Sequence, residues 1–440
     1  MNPTLTCPSG AAGRRRQVPL LPRRRNGKVR PASGRAIVVA VSAALRLHAF
    51  GLAALGALTS ILMITPVLPL DLDRRGLPPL HVGGVVGAMS LALVITELLA
   101  LAATSRIGRR WAAAIAFGGS AVMLAWFPHI SSLGILYLNR LTFGAVRGLL
   151  WPVLFAEVAD AASPERRAGA FAVFWLYFGV GQLIGPALGG WLADHVSLAA
   201  PFYGAAALSV LTLPATLAIR SHRDAPDAGN PVAALRDLLR RSPAVSRSWA
   251  LTACNTIAFS VYATFLPLHA ASRGVSAQAI GLIYTGAALA FIAGQEVLRR
   301  TARRRSAERF VAPAFIARGI GVAVTPFLPS FWPLLLVNAG AAALGAAIPN
   351  ALSTRIAAQA PPGLLVAAMG GFNAAADLGF FVGPAAGGAL AGAGLVWAFL
   401  MVLPVTAAAL ALLLTDQPVR DHRREEQGEV GHGVPEEADR

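Results

Sequence analysis

Several charged side chains stand inside long apolar segments of this sequence, among them Glu97, Arg140, Arg147 and Asp377. A charge in hydrocarbon is energetically costly, so such residues are rare there and face a partner or water. A carboxyl group in that position can take up and release a proton, and a guanidinium can hold a carboxylate or another anion. These four residues are therefore the first candidates for chemistry.

Asp377 lies near the middle of its apolar segment, four residues after Asn373. In a helix it points about 160° away from Gly379, and no basic residue lies within one turn of it. We predict that Asp377 carries a proton or holds a cationic substrate. The alternative is a hydrogen bond that links two helices.

Glu97 and Arg147 lie at similar depths in two other helices. Glu97 is about eight residues, roughly 12 Å, from one end of its helix, and Arg147 is about ten residues, roughly 15 Å, from the same side. An ion pair between them is one interpretation. A Glu97 in apolar surroundings that exchanges a proton is the other, and the sequence leaves both open.

The two buried arginines share one face of a helix. Arg140, Gly144, Arg147 and Trp151 follow each other at intervals of four, three and four residues, so all four point the same way. A polar stripe of this kind must point inward, towards partners or water. Arg140 and Arg147 either take part in the chemistry or form a structural ion pair.

The segments that carry these residues predict an all-α polytopic membrane protein. Of the 440 residues, 55% are hydrophobic and 13% are charged, and apolar runs of helix-spanning length alternate with short polar breaks. We predict twelve transmembrane helices, numbered 1 to 12 in chain order: 47–70, 82–104, 111–127, 133–158, 168–192, 199–219, 249–271, 277–298, 310–328, 333–357, 364–391 and 394–415. After helix 1 we expect a turn at Asp71–Arg75.

A repeat divides the helices into two halves. The series Gly181-x3-Gly185-Pro186-x2-Gly189-Gly190 recurs 198 residues later as Gly379-x3-Gly383-Pro384-x2-Gly387-Gly388. We therefore predict two six-helix bundles, with substrate bound between them. The predicted organisation is a disordered basic tail at 1–35, a first bundle at 36–219, a linker at 220–248, a second bundle at 249–415 and a tail at 416–440.

The positive charge of the chain is unevenly distributed. The formal net charge is +17, and the arginines concentrate in the N-terminal tail, the 105–110 loop, the linker and the 299–309 loop. Alternate loops carry almost none. This pattern indicates a cell-membrane protein with both termini in the cytoplasm, and it excludes a nucleic-acid partner, which would need a basic folded surface.

Several of these motifs resemble those of the major facilitator superfamily, and more narrowly of its twelve-helix drug:proton antiporters. The glycine series of helix 5 is similar to the antiporter motif, and Arg140-x3-Gly144 to the proton-relay motif of helix 4. The end of helix 1 and the loop after helix 2 also resemble family motifs. The residues that carry a conformational role by this resemblance are Pro66, Pro69, Arg106, Gly108, Arg109, Arg110, Gly181, Gly185, Pro186, Gly189, Gly190, Gly379, Gly383, Pro384, Gly387 and Gly388.

The resemblance implies a secondary transporter that exports a small amphipathic organic compound or drug in exchange for protons by alternating access. Arg140 would then tune a carboxylate or relay the proton. Many such antiporters carry an acidic residue within helix 1, and this chain has none there. Proton coupling must therefore rest on Asp377 or Glu97.

Aromatic and polar side chains on the helices expected to line the cavity suit a large, partly apolar ligand. The candidates are Arg147, Trp151, Phe155, Tyr177, Asn255, Tyr262, Asn350 and Asn373. Arg318 in helix 9, a helix that is peripheral in the family, is expected to be structural and to extend its guanidinium towards the membrane surface.

Two other functions stay open. A transporter of an organic anion or other metabolite would use Arg140 and Arg147 as the clamp for a carboxylate. A polytopic membrane enzyme would need a catalytic cluster near one membrane surface, and the sequence has no such cluster, no phosphate-binding loop and no metal-ligand spacing. We expect no cofactor, no metal and no catalytic residues. The partners are a small-molecule substrate, protons and the lipid bilayer, and the chain is expected to be monomeric.

Overall fold

The structure is a computed structural model that describes residues 34–163, 166–219, 231–301, 307–361 and 364–415. The chain forms two compact units, Met1–Ser42 and Ala43–Arg440. In the first unit the described residues, 34–42, are helical, whereas the predicted tail extended to residue 35. Residues 1–33 of that tail lie outside the described residues, and so does the whole of the predicted tail at 416–440. Everything below concerns the second unit.

Twelve helices of the described residues are long and apolar enough to cross a membrane, and these residues contain no strand. The predicted fold class is therefore confirmed. Helices 1 to 12 are Leu45–Arg74, Pro79–Ile107, Arg109–Trp126, Leu133–Ala161, Arg167–His195, Ala200–Ala218, Pro243–Ser272, Ala277–Thr301, Glu308–Phe327, Phe331–Gln359, Leu365–Ala391 and Leu395–Leu414.

Helices 4 and 10 are both interrupted at the same point of the repeat. Helix 4 consists of Leu133–Arg147 and Leu150–Ala161, and helix 10 of Phe331–Gly345 and Ala347–Gln359. Pro152 and Pro349 follow the two breaks. A proline has no N–H to donate to the carbonyl group four residues earlier, so each proline loosens the turn before it.

Two predicted boundaries are wrong. The chain does not turn at Asp71–Arg75, because the segment Leu68–Arg74 is still helical and Asp71 forms an ion pair with Arg75 at 2.8 Å. The reversal comes at Gly76, whose φ of 76° favours glycine. Helix 7 begins at Pro243 rather than 249, since proline is well suited to the first turn of a helix.

The predicted linker also contains a helix of its own, Pro231–Arg241. This helix carries the charged residues Arg236, Asp237, Arg240 and Arg241. Its Leu238 side chain is fully buried. This helix packs on helices 7 and 11, so part of the linker belongs to the folded protein.

The main contacts between the two sets of six helices join helix 2 to helix 11 and helix 5 to helix 8. We call helices 1–6 the N half and helices 7–12 the C half. The near side of the helix bundle is the side on which helix 1 begins, and the far side is the opposite side of the bundle. Helices 2 and 8 therefore begin on the far side, and helices 5 and 11 end there.

Candidate functional site

A pair of carboxyl groups joins the two halves. Glu97 of helix 2 and Asp377 of helix 11 bring their carboxyl groups within hydrogen-bonding reach of each other, and both residues are half-buried. An ionised carboxylate can only accept hydrogen bonds, so two carboxyl groups can bond to each other only when one of them carries a proton. The pair therefore has a place for one exchangeable proton at the boundary between the halves.

The predicted alternative of a Glu97–Arg147 ion pair is wrong. Glu97 lies next to Asp377, and Arg147 forms no ion pair with any residue that the structure describes. Equal depth in the membrane does not bring Glu97 and Arg147 together, because the rotation of helix 2 turns Glu97 towards helix 11. Helix 4 instead presents Gly148 to the backbone of helix 2 next to Glu97.

Arg140 and Arg147 both lie close to one aromatic ring inside the N half. Their guanidinium carbons are 5.0 and 5.8 Å from the centre of the Phe143 ring, and both residues are almost fully buried. Arg140 contacts the sulfur of Met89 at 3.4 Å, and Arg147 donates to the carbonyl oxygen of Ala57. Nε of both arginines and Nη1 of Arg147 have no hydrogen-bond partner among the residues that the structure describes. The two arginines of the predicted stripe are thus buried, but they contact no carboxylate among the described residues.

A cavity of about 250 Å³ lies between the two halves. Most of its wall comes from the C half, and helices 1 and 5 close it from the N half. Its lining is mainly apolar and aromatic and includes a few polar side chains, which is typical of sites that bind small organic molecules. The polar and aromatic residues of the lining include Gln182, Asn255, Phe259, Tyr262, Tyr284 and Arg318.

Two of the predicted cavity residues, Asn255 and Tyr262, line this cavity. The others lie elsewhere. Trp151 and Phe155 belong to an aromatic cluster between helices 4 and 5. Tyr177 contacts His48 at 3.0 Å, and Asn350 and Asn373 are exposed. Arg147 points towards helix 1 instead, as described above.

Arg318 is not where the sequence suggested. It is 8% exposed and lines the cavity, so the expectation that its guanidinium reaches the membrane surface is wrong. Gly345 of helix 10 leaves the space through which the side chain passes, since a Cβ atom there would overlap the guanidinium. The sequence contains both Gly345 and the intramembrane Arg318, but only the structure shows that the two residues face each other.

The glycine series has two kinds of partner. In helix 5, Gly181, Gly185 and Gly189 pack on the backbone of helix 1 within the N half, and only Gly190 meets the C half, at helix 8. In helix 11, Gly379, Gly383 and Gly387 likewise pack on helix 7, and only Gly388 meets helix 2. Most of each series therefore holds its own half together, and its last glycine contacts the other half.

Two glycines that the sequence analysis missed complete these contacts. A Cβ atom on Gly83 of helix 2 would collide with the carbonyl oxygen of Pro384, and one on Gly281 of helix 8 would collide with that of Pro186. Gly281 follows Gly83 by the same 198 residues that separate the two glycine series. Comparing the halves at that offset would have identified both positions.

The predicted loop motif on the near side holds an ion-pair cluster. Gly108, with a φ of 84°, separates helices 2 and 3, and Arg106 and Arg110 lie on either side of it. Arg109 binds Glu157 at 3.3 Å and Asp160 at 2.6 Å, which ties the start of helix 3 to the end of helix 4. Glu157 and Asp160 were not among the candidates.

We expect Glu157→Gln to destabilise the protein by about 1.5–3 kcal/mol, because a charged hydrogen bond in a buried place is lost. The Glu157 side chain is only 5% exposed. Asp160→Asn is the matched control, since that side chain is 50% exposed and a surface pair contributes at most about 1 kcal/mol. Thermal unfolding in detergent measures both, and equal effects would contradict the assignment.

Comparisons with known proteins agree with this architecture. The family model of the Major Facilitator Superfamily matches residues 50–268 and 248–437. The quinolone resistance protein NorA of Staphylococcus aureus (strain MRSA252) is 28% identical over 149 residues, which are 34% of this chain and 38% of that protein. The tetracycline resistance protein, class G, of Vibrio anguillarum is 33% identical over 172 residues, 38% of this chain and 42% of that protein. The matches thus span about two-fifths of these relatives.

A solved structure with the same arrangement of helices is a POT family transporter in complex with 5-aminolevulinic acid. The TM-score is 0.71 at 11% identity, and the alignment covers 84% of this chain and 95% of that one. At this identity the likeness shows the fold alone.

Proposed function

The chain belongs to the Major Facilitator Superfamily and is a multi-pass membrane transporter rather than an enzyme, and from this premise we propose that it exports a small amphipathic organic compound in exchange for protons. Two relatives that match part of the chain are named for resistance to quinolones and to tetracycline. Their names support the drug-export part of the proposal.

The close approach of the carboxyl groups of Glu97 and Asp377 supports the proton-coupling part. With one proton, the two carboxyl groups attract each other and hold helix 2 against helix 11. Without it, two negative charges face each other in a medium of low dielectric constant and repel strongly. Loss of the proton therefore favours separation of the two halves at this level.

This repulsion links the proton to the conformation of the transporter. A ligand shifts an equilibrium between two states only if it binds them with different affinity, and the proton meets this condition because the pair exists only when helices 2 and 11 are in contact. Alternating access then follows from rocking of the N half against the C half about the cavity. The buried charges of Arg140 and Arg147 would tune the same region.

We infer the orientation of the protein in the membrane from its loops. The arginine-rich loops lie on the near side, so the positive-inside rule places this side, and both termini, in the cytoplasm of a cell-membrane protein. Protons entering from the far side would protonate the carboxyl pair while the substrate leaves. A single chain contains all the parts that this mechanism uses, which supports a monomeric transporter.

The proposal is tested with purified protein in liposomes that carry an inside-acid pH gradient and a trapped pH-sensitive dye. Cationic, neutral and anionic amphipathic compounds are added outside in turn. We expect efflux of protons that depends on the substrate and saturates with its concentration. Substrate that equilibrates without any proton movement would contradict antiport.

A transporter of organic anions held by Arg140 and Arg147 remains the second candidate. The unpaired Nε atoms of both arginines and Nη1 of Arg147 favour it. The same liposomes separate the two functions, because transport of an anion held by Arg140 and Arg147 would be abolished in Arg140→Gln and Arg147→Gln and would not require proton movement.

A further inference from the structure

One wall of the cavity holds three polar groups that the protein leaves without partners. Nε of Arg318, the hydroxyl of Tyr262 and Oδ1 of Asn255 are all buried and make no hydrogen bond with any residue in the described part of the chain. Arg318 and Tyr262 are 8% and 5% exposed, and all three residues line the same cavity. Buried polar atoms in folded proteins are almost always bonded, so a cluster of three exceptions around one cavity indicates a place for a ligand.

The guanidinium of Arg318 also lacks a counter-ion among the described residues. Four acidic residues of the C half and its linker helix lie in the part of the chain that the structure describes, and each has another partner. Asp237 binds Arg241, Glu296 binds Arg299 and Arg300, Glu308 binds Arg355, and Asp377 lies next to Glu97. A buried cation without a counter-ion is costly, so an anion that enters the cavity would gain a strong partner.

The groups around the guanidinium define the ligand further. A planar guanidinium matches the two oxygens of a carboxylate, and the Tyr262 hydroxyl can donate to the same group. Oδ1 of Asn255 is an acceptor, so it requires a donor on the ligand, such as a hydroxyl or ammonium group next to the carboxylate.

Aromatic rings surround these polar groups. The guanidinium carbon of Arg318 is 5.6 Å from the centre of the Phe259 ring, which in turn packs edge-on against Phe380 at 5.8 Å. Tyr262 lies 5.3 Å from Tyr284. The cavity of about 250 Å³ has room for a molecule of one or two fused rings.

We propose that Arg318, Tyr262 and Asn255 form the recognition site for a small aromatic carboxylate that carries a hydroxyl or amino group beside its carboxyl group. Arg318 binds the carboxylate, Asn255 accepts from the neighbouring donor, and the rings of Phe259 and Tyr284 hold the aromatic body. This deepens the function proposed above and rests on it only in treating the bound molecule as transported cargo.

The test measures equilibrium binding in lipid nanodiscs, without a proton gradient, of a radiolabelled hydroxynaphthoate and of the neutral hydroxynaphthamide with the same skeleton. We expect the wild-type protein to prefer the acid. Arg318→Gln should weaken binding of the acid by at least about tenfold, because a charge-assisted bond is lost, and change binding of the amide by no more than about twofold. Arg299→Gln, an exposed arginine on helix 8, is the control and should change neither.

Three results would overturn the proposal: a wild-type protein that does not prefer the acid, an Arg318→Gln protein that still binds it fully, and an equal loss for acid and amide, which would indicate a structural role. Tyr262→Phe removes a single hydroxyl and provides the same comparison if Arg318→Gln does not reconstitute; here an unchanged preference for the acid would count against the site.

The two proposals fail in different ways. Arg318-dependent binding of the acid without proton movement in the liposomes would contradict antiport and leave the recognition site intact. Proton movement driven by other compounds, with no binding of the acid, would contradict the recognition site and leave antiport intact.

Discussion

Substrate-driven proton movement should fall to the level of protein-free liposomes when Asp377 is replaced by asparagine. Asparagine can still bond to Glu97, so we expect a change in stability of at most about 1 kcal/mol. However, ionisation of Glu97 then no longer places two negative charges side by side, and the proton loses its effect on the contact between helices 2 and 11.

Glu97→Gln should behave in the same way, and the double variant should show no further loss, because the two groups act as one unit. Asp160→Asn, which alters an acidic residue on the near side, is the matched control and should retain proton movement. Undiminished proton movement in Asp377→Asn would exclude the carboxyl pair as the coupling site. An additive loss in the double variant would show that the two groups act separately.

The second large effect is expected at the far side. Gly83→Ala should shift the protein away from the state in which the far ends of helices 2 and 11 touch, because the new Cβ atom collides with the carbonyl oxygen of Pro384. Overpacking of this kind costs about 1–3 kcal/mol, which corresponds to a change of about five- to 150-fold in the ratio of the two states.

A cysteine at Gln182 in the cavity, in a background without Cys7 and Cys254, reports the shift. A membrane-impermeant thiol reagent added from the far side should label it faster in Gly83→Ala. Gly118→Ala on helix 3 is the matched control, since a Cβ atom there meets nothing within 4 Å. If both variants label at the same rate, the glycine contact does not limit closure of the far side.

Gly281→Ala tests the symmetry of the repeat. This residue occupies the equivalent position on helix 8, where a Cβ atom would collide with the carbonyl oxygen of Pro186. The same labelling assay should give an effect of similar size. An effect at Gly83 alone would mean that only the contact between helices 2 and 11 controls access.

The sequence by itself determined the number of helices, their order and their duplication. A segment that spans the bilayer must be helical because the bilayer offers its backbone no hydrogen-bond partners, and its side chains must be apolar over the thickness of the hydrocarbon core. Such a run of consecutive apolar residues is visible in the sequence. The same reasoning identified Glu97, Arg140, Arg147 and Asp377 as unusual, since a charge in an apolar run is visible without knowing its neighbours.

Only the tertiary structure decided which of these residues meet. Helical periodicity fixes the face on which a side chain lies, but not how the helix is rotated or which neighbour that face touches. The sequence therefore left open whether Glu97 pairs with Arg147 or lies in apolar surroundings, and the structure brings it next to Asp377 on helix 11. The sequence likewise placed Arg318 on a peripheral helix. The structure shows that Gly345 on another helix leaves the space through which the Arg318 side chain reaches the cavity. Such contacts depend on residues far apart in the chain, whose distances are set by the packing of helices and not by the sequence around either residue.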